Sequence, residues 1–251
     1  MQATVEQIYR IVDELAPFES QEAWDNSGLL AGRMDSRVEK VLVCLDVTVG
    51  AIEEAKRKGC QLIVSHHPIL FHGRKNLREE DPEGRLLCAL IRSGLAHIAA
   101  HTNLDGAPGG VNEVLAGIMG LSDPMVLPGG LRAGALDTSL AALAERAGEV
   151  LGGVVRTYGR GDQRISRLCV CGGAGGSFWE SALLAGCDCY LTGEIKHSDA
   201  LDAVAAGLTL LEAGHYATER PAVKQLRNTL QNRLDALQYK VVVFESAYEP
   251  F

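Results

Sequence analysis

The chain has 251 residues, 47% hydrophobic and 22% charged, which is enough apolar mass for one large or two small packed cores and excludes a disordered or fibrous protein. Its 24 basic residues against 32 acidic ones leave a net charge of −8, which argues against a nucleic-acid binder working through a broad cationic face. Aromatic residues make up only 5%, too few for an extended base-stacking platform.

The first stretch, MQATVEQIYRIVDELAP, has acidic residues and a helical apolar spacing, unlike a basic segment followed by an apolar run, so it does not read as a signal peptide. No run approaches the roughly 20 apolar residues that cross a bilayer. A cytoplasmic protein without a membrane partner is expected. The seven cysteines fall mostly within apolar strand-like runs and read as buried thiols in a reducing compartment.

From residue 38 onward, short β-branched runs alternate with amphipathic stretches: VEKVLVCLDV, AIEEAKRKG, QLIVSHH, EGRLLCALIRSG and LAHIAAH, followed by VNEVLAGIMG. Such alternation predicts βαβ units and a mostly parallel sheet flanked by helices. The pattern weakens through PMVLPGGLRAG, a helix is expected over ALDTSLAALAERAGEVLG, and a second βα series opens at RISRLCVCGG. The expected organisation is a first α/β lobe over 1–125, to which the C-terminal segment could return, a connecting segment over 126–165, and a second α/β lobe over 166–251.

The two series share a register. Cys44 and Cys171 each close a first strand, and each is followed sixteen residues later by a cysteine, Cys60 and Cys187, that follows a glycine. This overlay sets Ser65 on Thr192 and His67 on Glu194. AAHTNLD and EAGHYATE also correspond, each with a histidine followed four residues later by a carboxylate: His101 and Asp105, His215 and Glu219. The chain therefore reads as an internal duplication of two similar lobes.

Ligands of parallel α/β sheets bind beyond the carboxyl ends of the strands. Four of the seven histidines, His66, His67, His101 and His215, fall at such ends together with Asp105 and Glu219. Imidazole and carboxylate donors without thiolates suit a catalytic zinc, manganese, iron or cobalt ion better than a structural zinc knot, and adjacent histidines suit a pair of ions. His197, in GEIKHSD, stands at the same edge as a second-layer residue, a proton donor or simply a polar residue opening a helix. His97 and His72 read as structural. The turn GGAGGS over 172–177 could hold an anion but fits neither the dinucleotide fingerprint nor the lysine-bearing phosphate loop, so a tight packing turn is the plainer reading. The pairs Cys169/Cys171 and Cys187/Cys189 place both thiols on one strand face, for burial. WDNSG at 24–28 reads as a structural turn near the site.

WDNSGL, SHHP, AAHTNLDGAPGGVN, CGGAGG, TGEIKHSDALDA and AGHYATE together resemble the NGG-interacting-factor family of dinuclear-metal hexameric proteins, often labelled type 2 GTP cyclohydrolase I homologues. The resemblance implies two similar α/β lobes, a toroidal homohexamer and two divalent metal ions per chain. Its ligand positions fall on His66, His67, Asp105, His215 and Glu219. His101 would be a neighbour of the metals, and the stretch between the lobes is too short for the domain that some members insert there. The cyclohydrolase label implies a metal-dependent hydrolase of a nucleotide, GTP first, with His101, His197 and Glu194 as the acid–base candidates. Arg74 and Lys75 could meet a triphosphate, or form a solvated basic loop. The alternative is a regulatory or partner-docking hexamer that holds metal without turnover.

Overall fold

A computed structural model of the chain describes residues 1–248. In chain order the elements are β1 (Ala3–Thr4), α1 (Val5–Leu15), β2 (Gly28–Ala31), β3 (Arg37–Val38), β4 (Lys40–Cys44), α2 (Val49–Lys58), β5 (Leu62–Ser65), α3 (Pro82–Ser93), β6 (Ala96–Ala99) and α4 (Thr102–Gly106). There follow α5 (Val111–Ile118), β7 (Met125–Val126), β8 (Arg132–Ser139), α6 (Leu140–Leu151), β9 (Arg156–Tyr158), β10 (Arg164–Cys171), α7 (Trp179–Leu184), β11 (Cys189–Thr192), α8 (His197–Ala205), β12 (Thr209–Glu212), α9 (His215–Ala236) and β13 (Val242–Glu245). The described residues divide into two compact units, residues 1–104 with 223–248, and residues 105–222.

The first unit is built on a five-stranded sheet of order β13-β4-β5-β6-β2, parallel except for β2. Its central strands are continuous apolar runs because both faces are covered. Leu42, Cys44 and Ile63 pack with Ile52 and Ala55 of α2 and Leu90 of α3, while the alternate residues Val41, Val43, Leu62 and Val64 are equally buried. Helix α2 starts where Thr48 accepts the Ala51 N–H, and α3 where Asp81 accepts the Gly84 N–H, each supplying one of the acceptors that a helix start lacks.

The second unit carries a six-stranded sheet of order β7-β8-β10-β11-β12-β9, in which β10, β11 and β12 pair in parallel and the other neighbouring strands pair antiparallel. Alternation along the strands sends Leu168, Val170 and Leu191 to a layer with α5 and α6, and Cys169, Cys171 and Tyr190 to a layer with α7 and α8. Two sequence expectations need correction here. ALDTS is the end of β8, paired with β10, and the helix begins only at Leu140, where Ser139 accepts the Ala142 N–H. Cys187 lies in the turn before β11, its N–H on Ala182 O, so it joins the α7 and α8 layer while Cys189 faces the other. Segment 126–165 supplies β8 and β9 to this sheet, and residues 223–248 belong to the first unit.

The duplicated register is visible in each unit taken by itself. Cys44 pairs with Ser65 and Ser65 with Ala99 in the first; Cys171 pairs with Thr192 and Thr192 with Glu212 in the second. The second unit has one more residue between strand and histidine, since His101 follows Ala99 by two positions and His215 follows Glu212 by three.

The C-terminal return is fastened by Glu54 of α2, which is 5% exposed. Its carboxylate accepts from Lys58 Nζ (2.5 Å), Ser246 Oγ (2.7 Å) and the Ala247 N–H (3.1 Å). Burial alone would raise its pKa, but these donors outweigh burial and hold the group below the usual carboxylate range. A depressed folded pKa stabilises the fold at pH above the unfolded value and ceases to do so as pH falls through the folded one. Glu54→Gln should therefore cost about 1.5–3 kcal/mol near neutrality, with the deficit shrinking below about pH 4. Urea unfolding of both proteins from pH 3 to 7 tests this; a pH-independent difference would refute it.

Candidate metal centre

In the first unit the parallel ladder continues past β5, with the His66 N–H on Cys44 O and the His67 N–H on Leu45 O, and then meets Pro68, which has no N–H to extend it. The double histidine is thus held as an extension of the sheet edge. Ser65 Oγ donates to His67 O (2.6 Å) and lies 2.7 Å from Nε2 of His97. The hydroxyl proton is committed to the carbonyl, so His97 donates from Nε2. Complete burial pushes the His97 imidazole down to about 3, which makes it a neutral group beneath the double histidine, a detail beyond the structural role read from the sequence.

Each histidine at this edge has its Nδ1 anchored by an acceptor: His66 on Ala100 O (2.9 Å), His67 on Asp46 (2.8 Å) and His101 on Asp25 (2.8 Å). An acceptor at Nδ1 fixes the proton there and puts the lone pair on Nε2, the arrangement found around metal-bound imidazoles. One ring nitrogen from each of the three lies within 4.8 Å of the others, and the ring centroids are 4.8–5.5 Å apart. The geometry leaves room for a cation held by His66 and His67, with the third imidazole, His101, beside it. Asp25 also accepts from the N–H and Oγ1 of Thr102 (3.0 and 2.5 Å), and Ser27 Oγ accepts the His101 N–H. Burial would raise the Asp25 pKa, but its bonds from His101, Thr102 and Asn26 hold it well below the usual range. The WDNSG turn is structural, as expected, and its structure consists in orienting His101.

In the second unit His215 opens α9 and Glu219 lies one turn on, its Oε2 3.2 Å from His215 Nε2. Glu194 Oε1 lies 3.3 Å from His215 Nδ1. Glu194 is thus engaged in orienting His215. Carboxylate oxygens of Asp105 and Glu219 lie within 4.8 Å of each other. Gly173, at φ +61°, fits against this pair: a Cβ there would fall 2.1 Å from Glu219 Oε1 and 3.2 Å from His215 Nε2. Its N–H donates to Thr218 Oγ1, which donates in turn to carbonyls of the first turn of α9. The GGAGGS turn is therefore a packing turn, and what it packs against is the donor pair.

Not every candidate joins these clusters. His197 is exposed at the first position of α8 and, among the described residues, belongs to no group of three donor side chains. His72 is exposed beside Phe71. Arg74 is bound to Asp81 (2.9 Å) and Glu83. Burial pushes the thiols of Cys44, Cys171 and Cys189 up, away from thiolate. Asp46, Thr218 and Arg132 went unmarked in the sequence. Arg132 is 1% exposed and donates to the carbonyls of Gly130, Gly106 and Ala107, bracing the turn just after Asp105. Asn112 braces it further, donating to Gly130 O and accepting the Gly172 N–H.

Each of the two α/β units thus carries imidazole or carboxylate donors at its sheet edge, in groups that could hold a metal ion. The family model for Duf34/NIF3 (NGG1p interacting factor 3) matches residues 3–250, and the chain belongs to that family. A Clostridium acetobutylicum relative named GTP cyclohydrolase 1 type 2 homolog is 28% identical, covering 100% of this chain and 99% of the relative. A Helicobacter pylori relative named GTP cyclohydrolase 1 type 2 is 31% identical over 87% of this chain and 88% of its own length. Among solved structures, a hypothetical protein of Staphylococcus aureus superposes with a TM-score of 0.95 at 29% identity, over 100% of this chain and 99% of that one. No helix among the described residues is long and apolar enough to cross a membrane.

Proposed function

We propose that the chain is a metal-dependent hydrolase of a nucleotide, with GTP as its first substrate to try, holding two divalent ions on His66, His67, Asp105, His215 and Glu219. The observation that carries this reading is the set of three imidazoles whose Nδ1 atoms are all anchored. The names of the relatives support the nucleotide. Bound ions of the zinc, iron, manganese or cobalt type would supply activated water and neutralise charge developing on the substrate. His101 is the acid–base group of this reading: Asp25 fixes its proton at Nδ1 and leaves Nε2 to accept another. Glu194 positions His215, and His197 is retained as a peripheral proton donor. The working assembly is a toroidal homohexamer in the cytoplasm.

Glu219→Gln keeps the shape of the side chain and removes its charge. It should abolish metal binding and turnover together while the circular dichroism spectrum and thermal midpoint stay near wild type; retained metal with unchanged turnover would defeat the ligand assignment. One observation favours a second reading, a metal-binding regulatory hexamer without turnover. Glu194, which the sequence offered as a spare acid or base, is already engaged with His215. Full metal loading with no hydrolysis across a nucleotide panel would select that reading.

A further inference from the structure

Trp24 and Phe71 stand beside the first unit's histidine cluster and are unusually open, 60% and 41% exposed. Their rings lie 5.7 Å apart, edge to face, and each sits about one ring away from His101, at 6.2 and 5.9 Å. The two loops that carry them are tied together by Asn26 Nδ2 donating to Leu70 O (2.6 Å). Trp24 immediately precedes Asp25, whose three bonds to His101 and Thr102 fix the start of the same turn. Two exposed aromatic rings are therefore held in a set arrangement at the edge of the metal-binding imidazoles.

The charges around the pair indicate which end of a nucleotide it suits. Arg74, the nearest arginine along the Phe71 loop, is neutralised by Asp81 and Glu83, while Asp25 and Asp46 line the back of the histidines. With that arginine already engaged, what the exposed rings offer a nucleotide is a face for its flat, uncharged π-system. Resting on the nucleotide reading above, we propose that Trp24, flanked by Phe71, is the platform on which the purine base of the substrate stacks, next to His101.

The chain has two tryptophans, Trp24 and Trp179, so a Trp179→Phe variant of the metal-loaded protein reports Trp24 fluorescence alone. GTP and guanosine should both quench it, and tripolyphosphate, which has the charge without the base, should not. In the otherwise unaltered protein, Trp24→Ala should weaken GTP binding measured by calorimetry roughly 5- to 100-fold, with Trp24→Phe recovering much of the loss and metal content unchanged in both. GTP binding that neither quenches Trp24 nor weakens in Trp24→Ala would overturn the stacking role and leave the nucleotide reading standing, as would quenching by tripolyphosphate equal to that by GTP. Failure of both GTP and guanosine to bind the metal-loaded protein would overturn the two together.

Discussion

A Gly173→Ala variant should bind metal about 10- to 100-fold more weakly than wild type, because one methyl group displaces the proposed ligand Glu219. Two effects act in the same direction. The backbone at φ +61° is left-handed, which costs an alanine about 1 kcal/mol that glycine does not incur. The larger effect is local: a Cβ 2.1 Å from Glu219 Oε1 cannot coexist with that carboxylate where it stands. Glu219 must swing away or the turn must shift, and either breaks the pairing with His215. The expected pattern is a modest fall in thermal midpoint of the metal-free protein, together with a large loss in metal affinity measured by competition with a chelator. Wild-type affinity in Gly173→Ala would show that the turn is not part of the centre.

The second large effect is expected at Asp25. Its side chain is fully buried and serves His101 Nδ1, Thr102 N–H and Thr102 Oγ1 at once. In Asp25→Asn the amide has one oxygen with which to replace two, and its NH2 must face at least one of these donors. A buried donor left unmatched costs about 1–3 kcal/mol, and loss of the charged partner frees the His101 ring to change tautomer. Stability should fall by that amount, and turnover by roughly 10- to 100-fold. Comparing Asp25→Asn with Asp46→Asn separates the two consequences, since the Asp46 side chain is 37% exposed and anchors His67. Asp46→Asn should reduce activity with much less loss of stability. Equal destabilisation by both would contradict the role given to Asp25.

How much of this was legible in the sequence follows from where the information resides. The central strands announce themselves because a strand covered on both faces must be apolar throughout, as in VLVC and LIVS, and the histidines stand out because they interrupt those runs at their carboxyl ends. The duplicated register of Cys44 with Cys171 and Ser65 with Thr192 was readable for the same reason and reappears in the strand pairing. Segment 126–165 was harder. ALDTS is small and mixed enough to extend a helix, and only its antiparallel partner β10 makes it a strand. Arg132 looks like a surface residue until the carbonyls of Gly106, Ala107 and Gly130 are seen around it. Asp46 and Asp25 are ordinary loop aspartates in the sequence. Their meaning comes from distant histidines, 21 and 76 positions away. The glycines of GGAGGS were visible as a turn, but that Gly173 must lack a side chain because of Glu219 is a fact of three dimensions.

The central claim is that these anchored imidazoles and carboxylates hold metal. Elemental analysis of the protein purified without chelators, with a His215→Ala control prepared alongside, tests it most directly. Two divalent ions per chain in the wild type and a clear deficit in the control are the predicted result. Protein that carries no metal and takes none up from zinc, iron, manganese or cobalt salts would contradict it.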